Sequence, residues 1–199
     1  MGFSRLALLV PAVALFAACD SDQSPSAALR GSAGFGADRG RPTGGDTEPA
    51  SMAGITERHN LVRSNVSPAA SPPLSPLVWS SELAAIAQSY ADKCVFEHSR
   101  GGKLGENLYA GSGGDASGPG VVDDWASESA AYNFANDECA KGKQCGHYTQ
   151  VVWRGTQRVG CGAAQCKVGS PFGDTNDGAW QNWVCNYDPP GNFIGEQPY

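Results

Sequence analysis

The apolar positions of the chain form one continuous N-terminal block, followed by a series of shorter periodic segments. The block runs from Leu6 to Ala18, thirteen residues, and a single basic residue, Arg5, precedes it. It is too short to cross the hydrocarbon core of a bilayer, but its length matches the apolar region of an export signal. We therefore predict a signal peptide over residues 1–18 and an exported protein.

Residues 19–52 are rich in Ser, Gly, Pro, Ala and Asp and contain almost no large apolar side chains. A segment of this composition buries too little apolar surface to offset the entropy lost on folding. We predict a disordered tether over this range. The rest, residues 53–199, is expected to form a single domain of about 150 residues, a common domain size.

Periodic patterns predict four helices in this domain. Ile55 to Val66 carries apolar residues near helical spacing, and prolines follow it. Ser80 has the properties of an N-cap for a second helix, whose apolar stripe ends at Cys94. After a glycine-rich loop, a third helix is predicted over Val121 to Ala131 and a shorter one over His147 to Arg154.

Two strands are predicted late in the chain, over Val159 to Val168 and Trp180 to Tyr187, with a hairpin-loop composition between them. That loop contains Asp174 to Gly178, which lacks the glycine position and the glutamate of a calcium-binding EF-hand. Helices followed by a late hairpin predict the α+β class, with helices packed over an antiparallel sheet.

The end of the signal peptide allows two outcomes. Phe16 to Cys19 resembles the lipobox of bacterial lipoproteins, in which the cysteine is lipidated and becomes the mature N-terminus. The alternative is an ordinary cleavage near Ala18, which leaves Cys19 free or removes it. The chain has seven cysteines, so lipidation of Cys19 leaves six that can pair completely in an oxidising compartment. We expect a membrane-anchored lipoprotein, extracellular or in the cell envelope.

The charge and the glycine pattern exclude two classes of partner. The net charge of −6 argues against nucleic acid or another polyanion. Gly111, Gly113 and Gly114 do not follow a strand-to-helix pattern with the lysine or acidic partner of a nucleotide-binding loop. We therefore expect no nucleic-acid or nucleotide function.

Four short blocks carry the strongest functional signal. They are His59 to Arg63 (HNLVR), Gly105 to Leu108 (GENL), Gly146 to Thr156 (GHYTQVVWRGT) and Cys185 to Phe193 (CNYDPPGNF). In this order they resemble the CAP superfamily of cysteine-rich secretory, antigen 5 and pathogenesis-related proteins. Ile194 to Tyr199 is similar to the C-terminus of the plant pathogenesis-related members. The resemblance covers residues 53–199, the SCP domain of that superfamily.

The resemblance implies a disulfide-stapled, three-layer α–β–α sandwich with a central cavity lined by two histidines and two glutamates. At the matching positions of this sequence these are His98, Glu106, Glu128 and His147. Similarity to the plant members also implies the disulfides Cys94–Cys166, Cys139–Cys145 and Cys161–Cys185.

Two imidazoles and two carboxylates in one cleft can bind a divalent cation, and zinc suits this mixture better than magnesium, which prefers more oxygen ligands. Alternatively His98 and His147 alone hold the metal, and each glutamate orients one ring and raises its basicity. A divalent cation, zinc or magnesium, is the one cofactor that these residues suggest.

Such a cavity is compatible with functions of different classes. The first is a non-enzymatic extracytoplasmic binding or effector module, for which the resemblance suggests lipid, sterol or protein partners. A lipid or sterol would need an apolar groove separate from the charged cavity. The alternative is a metal-dependent hydrolase of peptides or cell-envelope material that uses the same cavity. In a third case the cavity has no use and the protein is structural. We favour the binding module.

The remaining polar candidates are assigned structural roles or none. His59 and Arg63 are expected to be hydrogen-bonded or ion-paired residues of the core. Ser99, Ser127 and Ser129 are the available nucleophiles, but none lies in a Gly-x-Ser-x-Gly pattern. The absence of that pattern is one reason for favouring binding over catalysis.

Overall fold

The computed structural model describes residues 46–173 and 179–199. The predicted signal peptide, Cys19 and the segment Asp174 to Gly178 lie outside the described residues. Within the described ranges, no helix is long and apolar enough to cross a membrane.

Residues 46–52 are attached to the first helix, α1 (Ile55–Ser64), although their composition predicts a disordered tether. The carboxylate of Glu48 accepts the N–H of Gly54 and both the N–H and the hydroxyl of Thr56, at 2.7 to 2.8 Å. A carboxylate at a helix N-terminus satisfies backbone donors that have no partner inside the helix, and it also interacts favourably with the helix dipole. Glu48 therefore anchors this segment.

Two further contacts attach the same segment. Asp46 accepts the N–H of Ser81 at 2.7 Å, at the start of the second helix. Met52, in a 3-10 turn over Ala50–Met52, is 4% exposed and belongs to the main core. Residues 46–52, which the composition assigns to the tether, therefore contact the folded domain. Composition could not show this, because two carboxylates and one methionine make the attachment.

The four predicted helices are present with shifted ends. They are α1 (Ile55–Ser64), α2 (Ser81–Ala91), α3 (Gly118–Ser127) and α4 (Gly146–Val151), and a 3-10 helix over Glu128–Ala131 continues from α3. Ser80 caps α2 as predicted, since its hydroxyl accepts the N–H of Leu83 at 3.3 Å. Helix α3 begins before the predicted Val121, because Ser117 caps it and a proline occupies its first turn.

The central sheet is mixed and has four strands. They are β1 (Val78–Trp79), β2 (Gly105–Ser112), β5 (Arg158–Cys166) and β6 (Trp180–Asp188), while β3 (Tyr132–Asn133) and β4 (Glu138–Cys139) form a separate hairpin. The order in the sheet is β1-β5-β6-β2. Strands β5 and β6 are the two predicted ones. Strand β1 runs parallel to β5, so the expectation of a purely antiparallel sheet is wrong at this edge.

Strand β2 was not predicted from the sequence. Its residues, GENLYAGS, include glycine, alanine and asparagine, which are depleted in strands, and the region was interpreted as a glycine-rich loop. All its residues nevertheless pair with β6, from Gly105 opposite Tyr187 to Ser112 opposite Trp180. The partner strand, and not the propensity of β2 itself, determines this conformation.

Alternate side chains of β6 face opposite layers. Cys185 and Tyr187 pack in the main core with α1, α3 and α4, whereas Val184 packs against Ala87 and Ala91 of α2. One layer of helices therefore lies on each face of the sheet. This is the α+β, three-layer α–β–α arrangement expected from the resemblance.

Glycines on β5 allow α2 to lie directly on the sheet. A Cβ atom at Gly160 would clash with the main chain of Ser80, and one at Gly162 would clash with the main chain of Gln88. The Gln88 amide then bonds the strand, donating to the carbonyl of Ala163 at 2.9 Å and accepting its N–H at 3.1 Å. The close approach thus requires glycine at both positions.

His59 is a core residue, as expected. It is fully buried, and its Nδ1 lies 2.8 Å from the carbonyl of Ile55 while its Nε2 lies 2.8 Å from the hydroxyl of Tyr187. Burial lowers the pKa of His59 to about 4, so the ring is neutral at neutral pH. Because a carbonyl only accepts, Nδ1 donates to Ile55 and Nε2 accepts from Tyr187. His59 thus connects α1 to β6.

Arg63 is also structural. Its guanidinium, 1% exposed as a residue, donates to the carbonyls of Ser75, Val151 and Trp153 at 2.8 to 3.0 Å. Burial lowers its pKa to about 10, which still leaves it charged at neutral pH. The side chain therefore satisfies carbonyls at the end of α4 and in the segment before β1, and ties both to α1.

The structure contains the three disulfides implied by the resemblance. They are Cys94–Cys166, Cys139–Cys145 and Cys161–Cys185. Cys161 and Cys185 lie directly opposite each other on β5 and β6, with Cα atoms 4.1 Å apart. Bridges across long stretches of chain stabilise a fold by about 2–4 kcal/mol each, chiefly by restricting the unfolded state.

We expect Glu48→Ala to lower the free energy of unfolding by about 1–2 kcal/mol, because the N–H groups of Gly54 and Thr56 lose the carboxylate that accepts them. Urea denaturation followed by circular dichroism measures this. Glu97→Ala, an exposed glutamate whose side chain makes no described contact, is the control and should change stability by less than about 0.5 kcal/mol. Equal effects of the two substitutions would show that Glu48 does not anchor the segment.

Candidate functional site

A cleft of about 250 Å³ lies where β2 begins and α4 begins. Its lining includes His98 from the loop after α2, Glu106 and Asn107 from β2, His147 from the first turn of α4, and Asn192 from the segment after β6. The fold therefore brings both predicted histidines to one cleft, from segments far apart in the sequence.

His147 is held by Glu128. One oxygen of Glu128 lies 2.7 Å from Nδ1 of His147, and the other accepts the backbone N–H groups of His147 and Tyr148 at 2.9 and 3.1 Å. Burial alone would raise the pKa of Glu128, but these hydrogen bonds outweigh it and lower the pKa. The indole of Trp125 stacks on the imidazole, with ring centres 6.1 Å apart. His147 is thus fixed in position and orientation.

His98 is held by Glu106 in the same manner but in a more open place. Nδ1 of His98 lies 2.9 Å from a Glu106 oxygen that also accepts the N–H of Ser99 at 2.8 Å. The His98 side chain is 64% exposed, whereas that of Glu106 is only 7% exposed. The hydrogen bond to Glu106 raises the pKa of His98. Burial opposes ionisation of Glu106, yet the bonds from His98 and Ser99 lower its pKa overall.

Both imidazoles contact their glutamate through the same nitrogen. Each Nδ1 faces a carboxylate, so in the neutral ring Nδ1 carries the hydrogen and Nε2 keeps its lone pair. Neither Nε2 has a hydrogen-bond partner among the described residues. A carboxylate behind the distal nitrogen is the usual support of a metal-binding histidine.

The four predicted residues do not converge on one point. In residues 46–173 and 179–199, no group of three or more His, Cys, Asp or Glu side chains has an arrangement that could hold a metal ion. The tetrad is instead two histidine–glutamate pairs, one from His98 and Glu106 and one from His147 and Glu128. In each pair the glutamate carboxylate contacts Nδ1 of its histidine.

Sequence reasoning missed several residues that position the site. The Asn107 amide, 1% exposed, donates to the His147 carbonyl at 3.0 Å and to the Tyr187 hydroxyl at 3.2 Å. Since Tyr187 donates to His59, a buried chain of hydrogen bonds runs from α1 to the base of His147. Asn107 stands in the GENL block, but the block does not reveal what the amide contacts.

The serine candidates are not arranged as nucleophiles. The Ser127 hydroxyl donates to the carbonyl of Asp124 at 2.6 Å, and Ser99 contributes its backbone N–H to Glu106. Ser129 lines a different pocket. Within the described part of the chain, none of the three hydroxyls bonds a histidine.

That second pocket lies between α1 and the 3-10 helix after α3, and we call it the α1 groove. It has a volume of about 600 Å³, and Leu61, Val62, Val66 and Ala130 contribute apolar surface, with Arg58 among the polar residues of its lining. It shares no lining residue with the histidine cleft. The molecule therefore has a groove of mixed polar and apolar lining that is separate from the charged cleft.

Comparison with known proteins identifies the family. Residues 56–187 match the pattern of the cysteine-rich secretory protein family, CAP. The chain is 42% identical over 147 residues to a pathogenesis-related protein of PR-1 type from Sambucus nigra, which covers 72% of the chain and 78% of that protein. It is 44% identical over 146 residues to peptidase inhibitor 16 of Bos taurus, covering 73% of the chain but only 31% of that longer protein.

Solved structures agree with the sequence match. Venom allergen-like protein 4 of Schistosoma mansoni superposes with a TM-score of 0.59 at 26% identity, covering 76% of this chain and 95% of that one. A crystal structure described as NaASP2 with Zn²⁺ superposes with a TM-score of 0.57 at 25% identity, covering 80% and 90%. The sequence match extends over most of the domain and the fold agrees with it, so the chain belongs to the CAP family of cysteine-rich secretory proteins.

Proposed function

We propose that this domain is an extracytoplasmic binding module whose cleft holds a zinc ion through Nε2 of His98 and Nε2 of His147. The observation that carries the proposal is the pairing of each Nδ1 with a carboxylate, at 2.9 Å for His98 and 2.7 Å for His147. This pairing leaves one lone pair per ring directed away from its glutamate, in a cleft lined by both rings.

The donor set favours zinc over magnesium. Two neutral imidazole nitrogens suit zinc, whereas magnesium prefers oxygen ligands and usually keeps several waters. The related structure of NaASP2 with Zn²⁺ supports the same choice. When bound, zinc supplies a Lewis acid with free coordination positions, to which an anionic group of a ligand can attach.

Binding is favoured over hydrolysis because each of the two carboxylates already holds an imidazole, and the one oxygen left unbonded, Oε2 of Glu106, is buried. Glu106 and Glu128 each use one oxygen to hold an imidazole, and Glu128 uses the other to cap α4. A hydrolase needs a group free to take a proton and donors that stabilise an oxyanion. The alternative, a metal-dependent peptidase or cell-envelope hydrolase, would have to use the buried Oε2 of Glu106 as its base, or obtain these groups from the ligand or through movement of the cleft.

We expect the double substitution His98→Ala, His147→Ala to abolish zinc binding measured by isothermal titration calorimetry, because both proposed ligands are removed. Gln144→Ala, which alters another residue of the same cleft, is the matched control and should bind zinc as the wild type does. Zinc affinity of the double variant equal to that of the wild type would contradict the proposal. Zinc-dependent turnover of a peptide or murein library, lost in the double variant, would favour the hydrolase.

The same titration has a predicted pH dependence. Zinc competes with the proton on His98, and Glu106 raises the pKa of His98 above its ordinary value of 6.5. Affinity should therefore fall as the pH decreases through that raised pKa. Glu106→Gln should move the NMR titration midpoint of His98 to lower pH and also weaken zinc binding by about 10-fold or more, because the ring loses its orienting partner.

A lipid acyl chain is a second candidate ligand, and the α1 groove favours it. The groove has apolar surface from Leu61, Val62 and Val66, lies apart from the histidines and has a volume of about 600 Å³, within the range of small-molecule pockets. A lipid in this groove would be bound independently of the metal, because the two sites share no residue.

We expect Val62→Trp, which fills the α1 groove, to reduce binding of a fluorescent fatty acid by at least about 10-fold. The His98→Ala, His147→Ala variant should bind the fatty acid like the wild type, since its substitutions lie in the other cleft. Unchanged binding by Val62→Trp, with its circular dichroism spectrum preserved, would exclude this groove as the lipid site.

Location outside the cytoplasm is supported by the family and by the three disulfides, which persist in oxidising compartments. Membrane attachment through a lipid on Cys19 is the finer proposal, and it rests on the lipobox-like sequence Phe16 to Cys19. It also explains the odd number of cysteines, because six of the seven are paired.

We expect Cys19→Ser to release the protein from the membrane fraction of expressing bacteria into the soluble exported fraction, because no acyl chain can be attached. Immunoblotting of fractionated cells measures this. Ser21→Ala, close to the lipobox but not part of it, is the control and should remain in the membrane fraction. Membrane association that persists in Cys19→Ser would rule out the lipid anchor.

A further inference from the structure

A groove of about 490 Å³ lies on the face of the sheet that α2 covers, and we call it the α2 groove. Ala85, Ile86 and Tyr90 on the outer side of α2 form one wall, and Glu106 and Asn186 of the sheet also line it. Neither the zinc proposal nor the lipid proposal uses this groove. Only Glu106 belongs both to it and to the histidine cleft.

One buried polar atom of this groove has no hydrogen-bond partner. The second carboxylate oxygen of Glu106, Oε2, is buried and has no hydrogen-bond partner, on a side chain that is 7% exposed. Asn186, which is 3% exposed, lines the same groove. Buried polar groups in folded proteins are normally bonded to protein, water or a ligand, and an unbonded one costs about 1–3 kcal/mol.

These two side chains are neighbours. Glu106 and Asn186 are directly opposite each other in the antiparallel pair of β2 and β6, so they project from the same face. They share this face with Leu108 and Val184, which pack against α2. The unbonded carboxylate oxygen of Glu106 therefore has the Asn186 side chain beside it, beneath α2.

The chemistry of the groove favours a cation with an apolar stem. An ionised carboxylate is only an acceptor, and the amide oxygen of Asn186 is a second acceptor. The hydroxyl oxygen of Ser99, also in the lining, is a third. Ile86, which is 47% exposed, and Ala85 present apolar surface beside these acceptors. An ammonium group has three donors and no acceptor, which complements this set.

We propose that the α2 groove binds a primary alkylammonium group, either a free alkylamine or the side chain of a lysine in a partner protein. The ammonium donates to Glu106 Oε2 and Asn186, and its methylene stem lies along Ile86. The chain's own Lys93 does not fill the groove in this way, because its ammonium lies over the ring of Tyr90, 5.0 Å from the ring centre. The proposal does not depend on zinc.

The test is an NMR titration of the metal-free protein, in EDTA, with n-butylammonium. We expect shifts of the backbone amides of Ile86, Ser99 and Asn186, and binding at least about 10-fold tighter than that of 1-butanol, because a charge-assisted hydrogen bond contributes roughly that factor. Butyrate should not bind. Equal shifts with butylammonium and butanol would overturn the proposal.

Three variants make the test specific. Ala85→Trp fills the groove from an exposed position on α2 and should abolish binding, while Ala135→Trp, the same change at an exposed site outside the groove, should not. Glu106→Gln should weaken binding by about 10-fold, because the charge is lost. Unchanged binding by Ala85→Trp would overturn the proposal even if Glu106→Gln fails to fold.

The source of the ammonium is distinguished by a capped Gly-Lys-Gly peptide used beside n-butylammonium. Tighter binding of the peptide, lost when its lysine is acetylated, identifies a lysine of a protein partner. Tighter binding of the free amine identifies a small-molecule ligand. Absence of binding by both probes overturns the proposal. Because the sample contains no zinc, this outcome does not bear on the zinc proposal, which its own titration tests.

Discussion

The arrangement of the molecule depends on β6, a strand that is buried along its length and paired on both sides. Because its side chains alternate, β6 contacts the helices on both faces of the sheet. On one face, Tyr187 joins the hydrogen-bonded chain of His59 and Asn107. On the other face, Asn186 borders the α2 groove. Its pairing with β2 also places Glu106 and Asn107 at the histidine cleft. A slip of one residue in this register would exchange the two faces and disrupt both sites.

Several carboxylates in this domain fix the positions of helix starts and of the two histidines. Asp46 and Glu48 hold the first described segment against two helix starts, and Glu128 caps α4 with one oxygen while it orients His147 with the other. Glu106 differs, because only one of its oxygens is bonded, to His98 and Ser99. The two histidines are consequently unequal: His147 is fixed by a helix cap and a stacked indole, whereas His98 is exposed and held by a single side chain.

Glu106 is also the one residue shared by the histidine cleft and the α2 groove. A cation on its free oxygen would stabilise the ionised carboxylate, and the same carboxylate supports His98. Through Glu106, a ligand bound in one pocket would change the affinity of the other pocket for its ligand. The effect would be equal in both directions, because a coupling between two binding free energies is reciprocal. The α1 groove has no such shared residue, so a lipid there would be independent of both.

The sequence by itself determined the elements whose signal is local. The periodicity of α1 and α2, the cap at Ser80 and the apolar runs of β5 and β6 follow from side-chain chemistry within a few residues. The four motif blocks were more informative than these local patterns. Through their resemblance to a family, they implied the sandwich, the cavity residues and the cysteine pairs. Tertiary structure alone decided the conformation of β2, which depends on its partner strand, and the attachment of residues 46–52, which depends on helix starts elsewhere in the chain. The tertiary structure also decided which glutamate supports which histidine, and it placed one oxygen of Glu106 beside Asn186. These residues are far apart in the sequence, so no local pattern could predict their contacts.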